Sequence, residues 1–256
     1  MTIDTDDHRH LPRYQGHPTR SKHDLPTAFQ SISQQYLEGL EGCIHWLESN
    51  EIHVTFFIVT DLFEHPAFCD WMQRLILRCP NKVTFGCHGH THRSWSAWPK
   101  DEEGFSAMLS RSLPLLKERT ESLFRPFFRA PNGYIAPWMA PILAQHDITL
   151  DSSINPSWVV NNKSAGGWKQ VRRAMQEAQV LEREWATSLS VPINGPALFR
   201  WPLSILSRRI WNRASNFIGP DEHHLISDSS IQIRTLYCHI LDFGRMNGMW
   251  QPPLRC

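Results

Sequence analysis

The chain has 256 residues, of which 41% are hydrophobic and 20% charged, proportions that are ordinary for a globular protein. Lys and Arg number 26 and Asp and Glu number 25, so there is no overall charge to attract nucleic acid or an anionic membrane. Any such specificity must be local. No apolar run approaches the roughly 20 residues that a membrane helix needs. We therefore predict neither a nucleic-acid partner nor stable insertion into a membrane.

The N-terminal residues and the cysteines bear on the cellular compartment. Residues 1–7 lack the basic and apolar regions of a signal peptide, which predicts a cytoplasmic location. The six cysteines are scattered, without the close pairs of a zinc ribbon or the density of a disulfide scaffold. We interpret them mainly as reduced thiols of the core.

Helical and strand patterns alternate along the first 150 residues. A strand is expected to begin at Met1. Apolar residues recur at helical spacing over residues 29–50, and a short apolar strand over residues 54–59 follows. The same order repeats at 66–79 and 83–87, at 104–116 and 124–128, and at 139–143 and 148–150. Continuous apolar strands of this kind indicate a parallel sheet covered by helices, either a barrel or an open sheet.

The pattern weakens in the second half of the chain. A charged helix is predicted over residues 170–185, and residues 192–202 are rich in Pro and Gly. The last strand is predicted over residues 231–239, where apolar and polar residues alternate. We predict one domain over residues 1–256, in which residues 161–230 form a less regular insertion or rim.

Three imidazoles lie within five residues, directly after a predicted strand: His88, His90 and His92. Neutral imidazole is the commonest transition-metal ligand, and a turn at the end of a strand can aim two side chains at one ion. Histidines of a polar loop that merely face solvent would look the same in sequence. The motif therefore gains weight only from its neighbours along the chain.

Three ordered motifs resemble the polysaccharide deacetylases of carbohydrate esterase family 4. In that family a strand ending in Thr-Phe-Phe is followed by His-x-x-x-His and then by Arg-x-Pro-x-Gly. This chain has these motifs at residues 55–57, 88–92 and 129–133. The resemblance implies an α/β fold, a distorted (β/α) barrel with mostly parallel strands. It also implies a catalytic domain in which His88 and His92 bind a metal ion.

The family's first motif, Thr-Phe-Asp-Asp-Gly, is altered in this chain. In the family the first Asp is the general base and the second binds the metal. The best match implies that Asp4 is the base and Asp6 the third metal ligand, with Asp7 as a spare candidate. A rival match would put Asp24 on the metal and His23 in the place of the base. We prefer Asp4 and Asp6 because apolar strand residues precede Asp4 and none precede His23. The alternative interpretation of these acidic residues is a frayed, solvated chain end.

The resemblance assigns further roles by position. Arg129 would orient Asp4 and keep it ionised. Asn132 stands where the family has an aromatic residue, and its backbone N–H would help to hold the oxyanion. His239, at the end of the last strand, would protonate the leaving amine. Trp158 is a candidate wall of the substrate groove. An arginine that braces a loop, or a strand histidine satisfied by backbone groups, would give the same sequence.

Two histidines and one carboxylate leave coordination positions open for water, whose pKa a divalent ion lowers. Zinc is the ion we expect, and iron, cobalt, nickel or manganese would also suit these ligands. The resemblance thus implies hydrolysis of a C–N amide bond that is not a peptide bond. The expected substrate is an N-acylated sugar or saccharide, which would be deacetylated or deformylated. Two alternatives remain: a small-molecule amide or ureide amidohydrolase of the same superfamily, and a binding protein on a catalytically decayed deacetylase fold.

Overall fold

The structure is a computed structural model that describes residues 1–22, 31–163, 166–215, 234–245 and 250–253. Two of the sequence predictions fall outside these residues. One is the rival first motif at His23 and Asp24, and the other is the part of the last predicted strand at residues 231–233.

Within the described residues, nine short strands make up two sheets. They are β1 (Thr2–Asp4), β2 (Val54–Ile58), β3 (Val83–Cys87), β4 (Phe124–Phe128), β5 (Leu150–Asp151), β6 (Leu181–Glu182), β7 (Thr187–Ser188), β8 (Val191–Pro192) and β9 (Tyr237–His239). Seven of them pair in parallel in the order β6-β5-β4-β3-β2-β1-β9, and β7 and β8 form an antiparallel hairpin. The edge strands are β6 and β9, and a parallel bridge pairs Trp185, which follows β6, with Thr235, which precedes β9. The sheet therefore curls into the distorted (β/α) barrel that the sequence predicted.

Helices alternate with the strands and contribute their apolar faces to one large buried cluster. They are α1 (Gln34–Glu48), α2 (Pro66–Arg78), α3 (Glu102–Thr120), α4 (Met139–Gln145), α5 (Trp168–Glu177), α6 (Leu203–Ser215) and α7 (Ile240–Phe243). Ser33 caps α1 by accepting a hydrogen bond from the Tyr36 N–H, and Asp101 caps α3 in the same way. Among the described helices, none is long and apolar enough to span a bilayer.

The central strands are buried on both faces, as the continuous apolar runs indicated. On one face Phe56 packs between Phe85 and Trp71, with ring centroids 5.8 Å from each. On the other face Phe57 joins a smaller cluster with Phe127 and Leu150. The five described cysteines that are free thiols include four buried ones, which agrees with their interpretation as core residues.

The helix predicted over residues 170–185 is wrong in its second half. Helix α5 ends at Glu177, and Gln179 has a left-handed backbone with φ 58°. The chain then adds β6 to the sheet, because the Leu181 N–H donates to the Thr149 carbonyl at 2.9 Å. The region predicted to be less regular, residues 161–230, therefore contains two helices, a sheet strand and a hairpin among its described residues.

Candidate metal centre

Asp6, His88 and His92 bring three metal-ligating atoms together. Asp6 follows β1 and both histidines follow β3, and because these strands run parallel, their carboxyl ends meet at the same edge of the sheet. One ligand atom from each residue lies within 4.8 Å of the others, and all three side chains are buried.

In His88 and His92, a hydrogen bond from Nδ1 turns the ring so that Nε2 faces this cluster. His88 Nδ1 lies 2.8 Å from the Arg129 carbonyl oxygen, and His92 Nδ1 lies 2.9 Å from the His10 carbonyl oxygen. A carbonyl can only accept, so each Nδ1 carries the proton and each Nε2 is left with a lone pair. Burial lowers the pKa of His88 and lowers that of His92 to about 3, so both rings are neutral near neutral pH. The two Nε2 atoms lie 3.2 Å apart. Two lone pairs at this distance repel each other, and a cation bound between them would remove the repulsion.

Asp6 supplies the negative charge. Its Oδ1 atom is buried and makes no hydrogen bond with the described residues, although it lies 3.9 Å from His92 Nε2. Burial would raise the pKa of Asp6, but the surrounding histidines, His239 first, hold it well below its usual value. A buried carboxylate oxygen without a donor is costly. The donor set thus fits a divalent cation, the kind of ion that accepts both imidazole and carboxylate.

The third imidazole of the loop does not join this cluster. His90 Nδ1 lies 3.0 Å from the Thr60 hydroxyl, on the far side of the turn. The turn is possible because Gly89 and His92 both have positive φ, 82° and 60°. Of the three histidines of this loop, the structure therefore brings His88 and His92 together and leaves His90 apart from them.

Asp4 lies beside the cluster and is held by Arg129. The Arg129 guanidinium, which is fully buried, donates from Nη1 to Asp4 Oδ1 at 2.7 Å. It also donates from Nε to the Ser152 carbonyl and from Nη2 to the Ser152 hydroxyl, each at 2.8 Å, and it stacks on the Phe57 ring at 4.3 Å. The other oxygen of Asp4 lies 3.9 Å from His88 Nε2. The structure thus brings together the two residues that the sequence paired.

His239 approaches from β9, on the opposite side of β1 from β3. Its Nε2 lies 3.8 Å from Asp6 Oδ1, and its Nδ1 lies 3.6 Å from Asp242 Oδ2. Burial would lower the pKa of His239, but the carboxylates of Asp6 and Asp242 raise it to about 9. Asp4, Asp6 and His239 form a second group of close ligand atoms. The structure therefore places His239 within reach of both the carboxylates and any ion they hold.

Sequence reasoning gave no role to Asp242, which is fully buried and also accepts from the backbone N–H of His239 at 2.9 Å. Its position three residues after His239 was the available signal, because a side chain at that spacing can cap the turn that follows the strand. Asp242 thereby fixes both the ring and the backbone of His239.

His10 and Asp61 were also missed. The His10 carbonyl holds His92, and the His10 ring is fixed by the Asp7 N–H on Nδ1 at 3.0 Å and by Asp61 on Nε2 at 3.1 Å. Asp7, the spare ligand candidate, instead accepts hydrogen bonds from the His8 N–H and from both the N–H and the hydroxyl of Ser33. The structure therefore places Asp7 among the groups that shape the loop.

The two residues predicted to contact substrate differ in burial: Asn132 is half-buried and Trp158 is exposed. Asn132 has φ 56°, donates from its side chain to the Ser94 hydroxyl at 3.2 Å, and accepts from Lys163 Nζ on its carbonyl at 2.6 Å. Lys163 was not foreseen, and burial, with Arg20 nearby, lowers its pKa to about 8. Trp158 is 71% exposed, so its ring is available to a ligand.

Comparisons with known proteins bear on the family and the fold. A family model described as polysaccharide deacetylase matches residues 34–151. A crystal structure of a "putative polysaccharide deacetylase" from Mycobacterium smegmatis is similar in fold, with a TM-score of 0.58 and 17% sequence identity, over 96% of this chain and 77% of that one. The family match and the shared fold together support the polysaccharide deacetylase superfamily for this chain. Membership of this superfamily implies a hydrolase of the deacetylase type.

The match to the polysaccharide deacetylase family includes His88, His92 and Arg129, but it begins after Asp6 and ends before His239. The altered first motif therefore stays a prediction. A 4-alpha-glucanotransferase from Thermococcus litoralis has a TM-score of 0.49 at 13% identity, over 97% of this chain and 34% of that one, which is too low to indicate function. No curated protein matches the chain in sequence.

Proposed function

We propose that the chain is a metal-dependent hydrolase that removes an acetyl or formyl group from the nitrogen of an N-acylated sugar or saccharide. The observation that carries the proposal is the pair of Nε2 atoms of His88 and His92, which lie 3.2 Å apart. Beside them is the buried Oδ1 of Asp6, which accepts no hydrogen bond from any described residue. Zinc is the ion we expect in this site, and iron, cobalt, nickel or manganese would also suit its ligands.

The bound ion would polarise the acyl carbonyl and lower the pKa of a water molecule. Asp4 would take a proton from the water molecule as the water oxygen bonds to the acyl carbon. Arg129, which donates to Asp4 Oδ1 at 2.7 Å, would hold the carboxylate in place for this purpose. The Asn132 backbone N–H would donate to the oxyanion that forms on the acyl oxygen. His239 would then give a proton to the nitrogen as the C–N bond breaks. The products would be a free amine and a short carboxylic acid.

The superfamily and the exposed ring of Trp158 support the proposed substrate class. Trp158 offers a flat, exposed ring close in sequence to Lys163, whose Nζ atom bonds to Asn132. Aromatic rings of this kind can stack on the apolar face of a sugar.

The first experiment measures metal content and deacylation of a panel of N-acetyl and N-formyl sugars. The His88→Ala variant should lose both metal and activity. The Asp4→Asn variant should keep its metal and lose about 10²- to 10⁴-fold in rate, the usual contribution of a general base. His90→Ala is the matched control, because His90 lies in the same loop but contacts Thr60, and it should keep both properties.

Other outcomes would redirect the proposal. Activity confined to small amides or ureides would favour an amidohydrolase of the same superfamily, a reading that the altered first motif supports. If the parent protein binds no metal and hydrolyses none of the panel, the proposed function is wrong and the decayed binding protein becomes the better interpretation.

A further inference from the structure

Helix α6 exposes large apolar side chains to solvent. Trp201, just before the helix, is 81% exposed, and Ile205 and Leu206 in its first turn are 62% and 45% exposed. Single apolar residues at a surface are ordinary, but adjacent ones of this size mark an interaction site.

The opposite side of α6 is firmly packed. Trp211 is fully buried and packs edge-on against Trp250, with ring centroids 5.0 Å apart. The buried Ser207 hydroxyl donates to the Pro192 carbonyl at 3.4 Å. The orientation of the helix is thus fixed by these contacts, and the exposure of Ile205 and Leu206 follows from it.

The exposed side of α6 is also basic. Arg209 and Arg213 lie four and eight positions after Ile205, so they continue the same helix face, and both are exposed. Arg200 is exposed beside Trp201. Residues 185–215 contain four arginines and no Asp or Glu, although the whole chain is almost balanced in charge. Arg208 is turned away from this face, since its Nε donates to the Leu198 carbonyl at 2.7 Å.

A neighbouring hairpin adds another exposed apolar residue. Leu189, at the tip between β7 and β8, is 92% exposed although its φ is 49°, a conformation that Gly or Asn adopts more easily. Its strand β8 includes Pro192, which accepts the hydrogen bond from α6. The hairpin therefore lies against the helix that bears the exposed residues.

We propose that this surface docks onto an anionic lipid bilayer. The α6 face consists of Arg200, Trp201, Ile205, Leu206, Arg209 and Arg213. Helices that lie in a membrane interface combine apolar side chains, which enter the headgroup region, with basic side chains, which bind lipid phosphates and carboxylates. Trp is well suited to the interface because its ring is large and its N–H is polar.

Charge favours a bilayer over a second copy of the chain. A twofold dimer through the α6 face would place the same patch on both subunits. Arg209 and Arg213 of one copy would then meet the basic patch of the other, with no acid in residues 185–215 to balance them. An anionic lipid surface satisfies both the apolar and the basic part of the face.

Docking would hold the catalytic end of the molecule near the bilayer. The turn at Gly195–Leu198, just before α6, packs against β9, which ends at His239. Gly195 is so close to Tyr237 that an added Cβ would lie 2.5 Å from the tyrosine hydroxyl oxygen. The inference does not rest on the proposed function, because binding to lipid can be measured without substrate.

The test is co-sedimentation of the full chain with vesicles of phosphatidylcholine, with or without phosphatidylserine. The parent should bind only the vesicles that contain phosphatidylserine. Arg209→Gln with Arg213→Gln should weaken binding by roughly twenty-five-fold, since each basic residue near an anionic surface contributes about five-fold. Trp201→Ser with Ile205→Ser should also reduce it.

Two matched control variants distinguish binding through the α6 face from nonspecific binding to vesicles. Lys117→Gln with Arg119→Gln removes the same charge from the exposed side of α3, and Leu77→Ser removes a side chain of α2 that is 79% exposed. Both should bind like the parent. The inference is wrong if the parent does not bind phosphatidylserine vesicles, if the controls weaken binding as much as the α6 variants, or if the α6 variants only dissolve a dimer.

Discussion

Arg129 shows how much of the site depends on one side chain. Its guanidinium is fully buried, and it divides its donors between Asp4 and the carbonyl and hydroxyl of Ser152. The rings of Phe57 and Tyr237 lie 4.3 and 5.3 Å from the guanidinium carbon. Asp4 is only 3% exposed, so water solvates its charge very little. The positive charge of Arg129 compensates for this lost hydration.

Arg129→Met should therefore destabilise the protein by roughly 3–5 kcal/mol, the usual effect of leaving one buried charge without its partner. Urea denaturation would measure the loss. The second change Asp4→Asn should recover part of it, because the carboxylate that Arg129 balanced is then absent. Arg74→Met is the control, since the Arg74–Glu41 pair is about half exposed and should contribute at most about 1 kcal/mol. A loss of similar size in both variants would contradict this account.

At the scale of residues, the motif order predicted which side chains would meet, and it failed where local geometry decides. Arg129 and Asp4 are 125 positions apart, yet their motifs were enough to pair them. The sequence could not show that His90 turns to Thr60, because that depends on the positive φ of Gly89 and His92. It also could not show that Asp61 fixes His10 from another loop.

At the scale of elements, the contact between α1 and α7 depends on glycine. A Cβ on Gly39 would lie 2.3 Å from the Ile240 carbonyl oxygen, and one on Gly42 would lie 2.8 Å from the Phe243 carbonyl oxygen. Both atoms belong to the backbone of α7, which cannot rotate out of the way. Since α7 follows His239 directly, α1 helps to set the position of that residue.

Gly39→Ala should thus destabilise the protein, although Ala is better than Gly in a helix by about 1 kcal/mol. The clash should cost more than this gain, because overpacking a core typically costs about 1–3 kcal/mol. We expect deacylation to fall more than metal content, as His239 moves with α7 while His88 and His92 do not. Denaturation, metal analysis and rate measurements would check this. Glu38→Ala, on the same helix, should change stability by less than about 0.5 kcal/mol, and a Gly39→Ala protein of raised stability would refute the argument.

The elements themselves were predicted unevenly. Strands β3 and β4 have the predicted bounds, because each is a short segment with several large apolar residues that lies between two helices. The end of α5 and the start of β6 were missed. β6 has only two residues, and what makes it a strand is its pairing with Leu150 and Asp151 rather than a pattern of its own. Tertiary pairing of this kind leaves little trace in local sequence.

At the scale of the whole molecule, the site joins parts of the chain that lie far apart in sequence. Asp4 and Asp6 come from the first strand and the loop after it, His88 and His92 from the third strand's loop, and His239 from the last strand. The parallel bridge between Trp185 and Thr235 links the chain beyond the two edges of the sheet. An ion held by Asp6 after β1 and by His88 and His92 after β3 would therefore stabilise the fold as well as serve the chemistry.

Removal of metal should accordingly lower the melting temperature. A ligand that binds only the folded protein stabilises it by about 2.7 kcal/mol at a free concentration one hundred times its Kd. For a chain of this size, each kcal/mol shifts the melting temperature by roughly 2–4 °C, which gives about 5–10 °C in all.

The shift should arise because the ion relieves the repulsion between His88 and His92 and pairs with the buried Oδ1 of Asp6. Differential scanning calorimetry with and without a chelator would measure it. His88→Ala should melt at one temperature in both conditions while His90→Ala responds like the parent, and a chelator effect that survives in His88→Ala would place the ion elsewhere.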